Sequence, residues 1–275
     1  LGHVLEAVSS IPLESRSLVV GAKHGDEIRA WMTENAEDSW EIVLQPEALG
    51  TGDAVRCALD VLPEEGRVLI LYGDMPLLTS ETLGFIAEQE TSAMLTAVVD
   101  DPTGYGRIMR DAEGSMTGIV EETDADDESN PIPEVNAGVY LLDLALLRTA
   151  IFNLTAQNSQ GEFYLTDAAV AVLEECEGLT VVLEDGDEEV RGVNTMAELA
   201  RASRIAADRN LIHHMEEGVV FEDPGSTFIE CGVEIGQGTR ILPFTVIRQG
   251  VRIGADCMVG PFAHLRAGTC LEDGA

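Results

Sequence analysis

The feature that most constrains this chain is a period of six residues near the end of the sequence. Aliphatic side chains recur at that spacing at Ile229, Ile235, Ile241, Ile247, Ile253, Val259, Leu265 and Leu271. Small or β-branched residues stand two positions before most of them, at Val233, Thr239, Thr245, Val251, Cys257, Ala263 and Thr269. Helices and hairpins do not produce this period, whereas a parallel β-helix places one aliphatic side chain at each corner of a triangular coil. We therefore predict a β-helix built from hexapeptide repeats.

The chain before the repeats alternates between strand-like and helix-like segments. The strand patterns cover 17–22, 39–45, 67–74 and 92–100, and the helix patterns between them cover 25–34, 51–62 and 80–90. Such alternation predicts right-handed crossovers and a mainly parallel sheet between layers of helices. No GxGxxG motif follows these strands, which disfavours a dinucleotide-binding dehydrogenase. The expected fold class is therefore α/β and Rossmann-like.

The pattern changes after Asp100. Three further strands are predicted within 101–111, 115–123 and 134–142, then a helix within 158–175 and two closing strands at 180–184 and 189–194. The first three suggest a meander-like insertion in position to close over a second substrate. Within it, Gly106, Glu121 and Asn136 are candidates for reading a neutral sugar by hydrogen bonds, although each alone would suit ordinary surface or turn chemistry.

The stretch from Arg67 to Leu78 is a candidate metal site. Its aliphatic run fits a strand covered on both faces, and it ends in Gly73 and Asp74. Open α/β sheets bind ligands at the carboxyl ends of their strands, and Mg²⁺ prefers one or two carboxylates with substrate oxygens and water. The alternative is a strand end followed by an acidic turn without function.

A second candidate is the loop from Gln45 to Asp53. Gly50 and Gly52 allow a ligand close to the backbone, and the free N–H groups of the following helix favour phosphate. The Gln45 amide offers a donor and an acceptor, which suits the edge of a pyrimidine base. A glycine-rich connection without ligand is the alternative.

The net charge of −34 argues against nucleic acid or an anionic membrane as a partner. The sequence contains no stretch long enough to span a bilayer. The five cysteines form no CxxC pair, which indicates reduced thiols rather than disulfides or a zinc site.

Thr195 and Glu198 have the spacing of a capping box, and the helix that they begin should end at Gly218. We therefore predict an α/β domain over 1–195, a connecting helix over 196–218 and the start of the β-helix over 219–275.

Seven motifs, in this order, resemble those of the bacterial bifunctional N-acetylglucosamine-1-phosphate uridyltransferase / glucosamine-1-phosphate N-acetyltransferase family. They are GTGDA (50–54), YGDMPLL (72–78), DPTGYGRI (101–108), GIVEETDA (118–125), EVNAG (134–138), QGEFYLTD (160–167) and GVN (192–194). The resemblance implies a cytoplasmic enzyme with a left-handed β-helix that associates as a homotrimer. It also implies uridylyl transfer from UTP to N-acetylglucosamine 1-phosphate with Mg²⁺, giving UDP-N-acetylglucosamine for cell-wall and lipopolysaccharide precursors.

The resemblance also implies roles for individual residues. Those assigned to the nucleotide are Gln45, Gly50, Thr51, Tyr72, Gly73 and Asp74; those assigned to the sugar are Gly106, Glu121, Asn136 and Asn194. Asp74 and Asn194 would hold Mg²⁺, and no catalytic residue is assigned beyond this metal site. Arg266 would bind the sugar phosphate of a second, acetyl-CoA-dependent acetyltransferase site.

Several positions depart from the family pattern. Asp53 stands where the family has His, Thr123 where it often has Lys, and Ala267 where it has Pro. The family's glycine-rich phosphate loop would precede Leu1, and most of its acetyltransferase coils would follow the last residue. We therefore expect a fragment with impaired activity.

Three alternatives stay open at this point. One is a nucleotidylyltransferase for another sugar 1-phosphate with a hexapeptide tail. The second is a hexapeptide acyltransferase with a degenerate front domain. The third is a non-catalytic trimeric scaffold that binds sugar nucleotides.

Overall fold

The structure is a computed structural model that describes residues 1–36, 39–184, 186 and 188–275. It divides into two compact units, Leu1–Gly192 and Val193–Ala275. Among the described residues, no helix is both long enough and apolar enough to cross a membrane. The two domain boundaries predicted from the sequence, after residues 195 and 218, remain a prediction.

The described residues of the first unit form two sheets. Strands β1 (Ser17–Gly21) and β2 (Glu41–Gln45) form a parallel two-stranded sheet in which Val19 pairs with Val43. The second sheet has six strands: β3 (Arg67–Leu71), β4 (Ala93–Val98), β5 (Arg107–Arg110), β6 (Met116–Val120), β7 (Glu134–Asp143) and β8 (Leu179–Leu183). The order is β6-β5-β7-β4-β8, with β3 also paired to β7.

Strand directions follow from the pairing with β7. Strands β3, β4 and β5 are each antiparallel to β7, and β8 is parallel to β4. It follows that β3, β4, β5 and β8 all run in one direction. The predicted mainly parallel α/β architecture is thus confirmed, with β6 and the central strand β7 running opposite to the other four strands.

Helices pack around the two sheets of the first unit. They are α1 (Gly2–Ser9), α2 (Gly25–Asn35), α3 (Thr51–Ala58), α4 (Ser80–Ala87), α5 (Leu144–Asn153) and α6 (Leu165–Glu175). One buried cluster includes Leu83, Leu95 and Val139, and the other includes Tyr140 and Leu147. Because neighbouring residues of β7 fall in different clusters, this strand joins the two halves of the core.

Four details differ from the sequence predictions. Strand β7 is part of the main sheet instead of a meander, because nearly all of its side chains are buried and it pairs with both β3 and β4. Helix α5 was not predicted. Residues 189–194 form turns and loop instead of a strand.

The fourth difference concerns β3. Its residues Val68–Leu71 are only partly buried, although the aliphatic run predicts a strand covered on both faces. Among the described residues, β3 pairs along one edge with β7 and has no strand on its other edge. A cavity of about 660 Å³ lies there, lined by Leu69 of β3 and Leu18 of β1 among others. The cavity accounts for the incomplete burial.

The second unit begins with helix α7 (Met196–Glu216). The predicted capping box is confirmed, since the Thr195 hydroxyl accepts from Glu198 N at 3.2 Å and the Glu198 carboxylate accepts from Thr195 N at 2.7 Å. The helix ends at Glu216, close to the predicted end at Gly218, which has φ +89°.

Nine two-residue strands follow α7. They are β9 (Val220–Phe221), β10 (Phe228–Ile229), β11 (Glu234–Ile235), β12 (Arg240–Ile241), β13 (Val246–Ile247), β14 (Arg252–Ile253), β15 (Met258–Val259), β16 (His264–Leu265) and β17 (Cys270–Leu271). Every third strand is paired in parallel, giving the three sheets β10-β13-β16, β11-β14-β17 and β9-β12-β15. Ile229, Ile247 and Leu265 therefore stack in one column. The predicted hexapeptide β-helix is confirmed.

Threonines inside the coils satisfy buried backbone groups. Thr239 is fully buried; its hydroxyl donates to Gly254 O at 2.7 Å and accepts from Cys257 N at 3.0 Å. Thr245 is also fully buried and donates to Leu242 O at 2.7 Å. These bonds explain why a polar residue occupies an interior position of the repeat.

Candidate functional site

The loop between β2 and α3 is held by backbone contacts with residues 162–165. Phe163 N donates to Leu49 O and Gly52 N donates to Phe163 O, both at 2.8 Å. Gly50 has φ +109°, and a Cβ at this position would lie 2.5 Å from Phe163 O. Glycine is thus required both by the backbone conformation and by the close approach of the second segment.

The Gln45 amide at the end of β2 is held inside this loop. Its Nε2 donates to Gly50 O at 3.0 Å and to Asp53 Oδ2 at 2.8 Å. Both amide hydrogens are therefore used within the protein, and the amide oxygen is the group left for a ligand. Gly50 O and the Asp53 carboxylate accept hydrogen bonds and donate none. The end of the Gln45 amide that faces them must therefore be its nitrogen.

Asp53 lies in the first turn of α3 and is 5% exposed. Its other carboxylate oxygen, Oδ1, pairs with Arg56, one turn further along the helix. The Arg56 guanidinium stands over the Phe163 ring, 4.8 Å from its centroid. The negative charge that Asp53 adds beside the loop is thus balanced locally, and the helix N-terminus favours it as well.

Thr51 and Tyr72 connect this loop to the larger sheet. The Thr51 hydroxyl accepts from Leu165 N at 3.1 Å. The rings of Tyr72 and Tyr140 meet edge to face with centroids 6.4 Å apart. Burial raises the pKa of Tyr72, and the nearby hydroxyl groups of Tyr140 and Thr51 oppose that rise. The phenol therefore stays protonated at neutral pH and serves as a hydrogen-bonding group.

The three residues predicted to read the sugar come together. Gly106 O accepts from Asn136 N at 2.8 Å, and a Cβ on Gly106 would lie 3.4 Å from Glu121 Oε2. The Asn136 amide is fixed, because its Nδ2 donates to the Tyr140 hydroxyl at 2.7 Å and its Oδ1 accepts from Gly138 N at 3.0 Å. Hydrogen bonds and ring contacts thus join this sugar-side group to Tyr72.

Glu121 carries the main charge of the sugar-side group. Burial raises the pKa of the Glu121 carboxyl; a hydrogen bond from Thr166 at 2.7 Å opposes the rise, and nearby Asp167 and Asp124 add to it. The carboxylate has one oxygen engaged by Thr166. The second oxygen, Oε2, lies toward Gly106 and is suited to accept from a hydroxyl group.

A cavity of about 530 Å³ adjoins the end of β3. Thr51, Tyr72, Gly73 and Asp74 all line it, together with aliphatic residues of β1 and β3. Four of the residues predicted to bind a nucleotide therefore share one cavity, whereas Gln45 at the end of β2 and Gly50 in the loop are outside its lining.

Asp74 is exposed, and its carboxylate makes no hydrogen bond or ion pair within the described part of the chain. Its negative charge contributes to the raised pKa of Tyr72, which places the charge near the cavity. A carboxylate without a hydrogen bond or ion pair in the described residues, at the end of a strand, fits the oxygen ligands that Mg²⁺ prefers. The position of the Asp74 carboxylate therefore suits the binding of a divalent cation.

Two predicted residues belong to the second unit. Asn194 lies in an exposed loop before α7, and its backbone N donates to the Glu198 carboxylate at 2.7 Å. Arg266 is exposed on the β-helix, and its carbonyl accepts from Thr269 N at 3.0 Å. The pairing of Asn194 with Asp74 on one metal ion remains a prediction.

Three participants in these networks were not assigned from the sequence: Tyr140, Thr166 and Arg56. Thr166 stands in the QGEFYLTD motif, and Arg56 is three residues from Asp53 on a helix, a spacing that brings side chains together. The participation of Thr166 and Arg56 could therefore have been predicted from the sequence. Tyr140 gave no such signal, because it reads as one more apolar residue of a buried strand.

Comparison with known proteins adds family relationships to this geometry. Residues 1–207 match the family described as MobA-like NTP transferase domain, and residues 232–267 match the family described as bacterial transferase hexapeptide (six repeats). The chain is 42% identical over 239 residues to the bifunctional protein GlmU of Caldanaerobacter subterraneus subsp. tengcongensis, which covers 85% of this chain and 51% of that protein.

Two further relatives have the same name. The Thermoanaerobacter pseudethanolicus protein is 42% identical over 249 residues, covering 89% of this chain and 53% of the relative. The protein of Lactococcus lactis subsp. cremoris is 40% identical over 245 residues, covering 86% and 52%. The resemblance to the bifunctional family is thus confirmed, and the chain spans about half the length of these relatives.

Proposed function

From the premise that this chain belongs to the MobA-like NTP transferase family, we propose that its first unit serves uridylyl transfer from UTP to N-acetylglucosamine 1-phosphate. UDP-N-acetylglucosamine and pyrophosphate are the products. The observation that carries this proposal is the series of neighbouring groups from Thr51 through Tyr72, Tyr140 and Asn136 to Gly106. It links the loop suited to a base and phosphates with the group suited to a sugar.

In this reaction a phosphate oxygen of N-acetylglucosamine 1-phosphate attacks the α-phosphorus of UTP. The bond to the bridging oxygen of the β-phosphate breaks in line, and pyrophosphate leaves. The chain needs no covalent nucleophile for this step, because positioning and charge neutralisation supply the catalysis. Gln45, Gly50 and Thr51 hold the uridine, while Gly106, Glu121 and Asn136 hold the sugar.

Mg²⁺ is the proposed metal, with Asp74 and Asn194 as protein ligands and Tyr72 and Gly73 beside the phosphates. When bound, the metal neutralises charge on the phosphate oxygens. This contribution matters here because the chain carries a net charge of −34 and would otherwise repel a nucleotide.

For the longer relatives, which the chain matches over half their length, we propose a second activity. It is an acetyl-CoA-dependent N-acetyltransferase on glucosamine 1-phosphate, built on the hexapeptide β-helix with Arg266 toward the sugar phosphate. A homotrimer formed through the flat faces of the β-helix and a cytoplasmic location complete this proposal. In this chain the proposal is supported by Arg266, which is exposed and can contact a ligand or a neighbouring subunit.

Binding of sugar nucleotides tests the main proposal. The chain is titrated with UDP-N-acetylglucosamine, ADP-glucose and dTDP-glucose, with and without Mg²⁺, and affinities are measured by calorimetry. We expect selective, Mg²⁺-dependent binding of the first ligand. Preference for another sugar nucleotide would favour a different nucleotidylyltransferase, and binding that no metal affects would favour the non-catalytic scaffold.

A further inference from the structure

We propose that Asp53 is a positioning residue that fixes the Gln45 amide and thereby selects uracil against cytosine. This inference rests on the proposed function, in which Gln45 lies at the base. Asp53 stands where the family usually has His, so the contact between Asp53 and Gln45 is a feature of this chain. Asp53 touches no substrate itself and acts through Gln45.

The chemical difference between the two bases lies at N3 and C4. Uracil presents an N3–H donor between two carbonyl oxygens, whereas cytosine presents an N3 acceptor beside an amino donor. A Gln amide oxygen accepts from uracil N3–H. An amide that is free to turn can offer its nitrogen to cytosine N3 instead. Discrimination therefore requires that the amide be held in one orientation.

The contacts of Gln45 provide that restraint. Its Nε2 donates to Gly50 O at 3.0 Å and to Asp53 Oδ2 at 2.8 Å. Turning the amide would place its oxygen against a carbonyl and a carboxylate, with repulsion at both contacts and two lost hydrogen bonds. The carboxylate is the stronger restraint, because it is charged and 5% exposed.

Arg56 keeps the Asp53 carboxylate in place. It pairs with Oδ1, so that Oδ2 is directed to Gln45, and it rests on the Phe163 ring at 4.8 Å. Phe163 is in turn bonded through its backbone to both Leu49 and Gly52. Each carboxylate oxygen thus has a separate partner, and the aspartate cannot rotate without losing one of them.

Asp53→Asn is the sharpest test, because it keeps size and shape. With Arg56 holding the Asn oxygen, the Asn NH₂ would face Gln45, so that each orientation of the Gln45 amide would keep one hydrogen bond, to Gly50 O or to the Asn NH₂, and would meet one like group. The two orientations would then be close in energy. We expect the parent chain to bind UTP more tightly than CTP by about tenfold or more, the ratio typical of one well-formed buried hydrogen bond. In Asp53→Asn that ratio should fall to within about threefold, with CTP affinity rising.

Two controls make the result specific. Asp60→Asn changes an exposed aspartate beyond α3 and should leave the UTP/CTP ratio unchanged. In a Gln45→Leu background, Asp53→Asn should have no further effect on the ratio, because the group through which it acts is gone. A role in folding alone would weaken both nucleotides equally and would not depend on Gln45.

The outcomes separate this inference from the proposed function. If the parent prefers UTP and Asp53→Asn retains the full ratio, the inference is overturned and the proposed function stands. Equal binding of UTP and CTP by the parent also overturns the inference. If neither nucleotide binds the parent with Mg²⁺ present, the proposed function fails and the inference fails with it.

Discussion

The ring of Tyr72 packs so closely on Gly138 that a Cβ there would lie 2.5 Å from Tyr72 Cδ2. Gly138 also has φ +68°, a conformation that favours glycine. The contact joins the residue that follows β3 to the middle of β7, between the nucleotide side and the sugar side of the candidate site. The relative position of the two sides depends on the absence of a side chain at this one residue.

Gly138→Ala should therefore be strongly destabilising. The left-handed conformation and the clash together should lower the free energy of unfolding by about 2–4 kcal/mol, measured by urea denaturation. Gly118→Ala is the matched control, since Gly118 lies on β6 with no heavy atom within 4 Å of the added Cβ. Equal stability of the two variants would mean that Tyr72 moves aside without cost.

Asp74→Asn should remove the Mg²⁺ dependence of UDP-N-acetylglucosamine binding while leaving the fold intact. The exposed carboxylate makes no hydrogen bond or ion pair in the described residues, so its loss should not destabilise the first unit. Calorimetric titrations with and without Mg²⁺ measure the difference, and Asp60→Asn serves as the control at another exposed aspartate. A variant that retains the parent's metal dependence would exclude Asp74 as a ligand.

Glu121 should make sugar binding and stability respond to pH in opposite directions. Burial raises its pKa, so the carboxylate acceptor is lost on acidification earlier than an ordinary glutamate's, and UDP-N-acetylglucosamine affinity should fall. The folded state also holds this proton more tightly than the unfolded state. Its contribution to the free energy of unfolding therefore increases as the pH falls through the raised pKa toward the ordinary value, and decreases as the pH rises again.

Glu121→Gln is the control for that behaviour. This variant should bind UDP-N-acetylglucosamine with low affinity at every pH. Its affinity and its free energy of unfolding should both lack the pH dependence that the Glu121 carboxyl contributes. Affinities from calorimetry and unfolding free energies from urea denaturation, each measured from pH 8 down to about pH 4, give the comparison. Parallel affinity profiles for parent and variant would show that the Glu121 charge does not contact the sugar.

Thr239→Val should weaken the β-helix although it preserves shape. The substitution leaves Gly254 O without its donor and Cys257 N without its acceptor in a fully buried position. We expect a loss of about 1–3 kcal/mol in the free energy of unfolding. Thr269→Val is the matched control, because Thr269 occupies the same repeat position with an exposed hydrogen bond. A loss as large in the control would point to a general effect of the hydroxyl.

The β-helix could be predicted almost completely because its pattern is one-dimensional. Ile229, Ile247 and Leu265 stack on one another at a fixed separation along the chain, so the spacing alone determines the neighbours. The centre of the first unit could not be predicted in this way. The pairing of β7 with both β3 and β4 depends on contacts between segments far apart, and no local period encodes which strands become neighbours.

Part of the candidate site could be predicted from the sequence, and part of it could not. Gly106, Glu121 and Asn136 were chosen from separate motifs, and they form one group of contacts. The orientation of the Gln45 amide could not be foreseen, because it depends on an acceptor at Asp53 and on the carbonyl of a glycine with an unusual φ. Side-chain chemistry suggests what a residue is able to bind, whereas its protein contacts decide which atom is available.

The edge of β3 that no described strand pairs with has a consequence for the exchange of backbone hydrogens with solvent. Along an antiparallel strand, amide groups point alternately to one edge and the other. Those of Arg67–Leu71 that face β7 should exchange with deuterium only through large openings of the core, whereas their immediate neighbours facing the cavity should exchange through small local motions. A single five-residue strand would therefore show protected and unprotected amides in alternation, and a peptide that pairs with the open edge would make that alternation disappear.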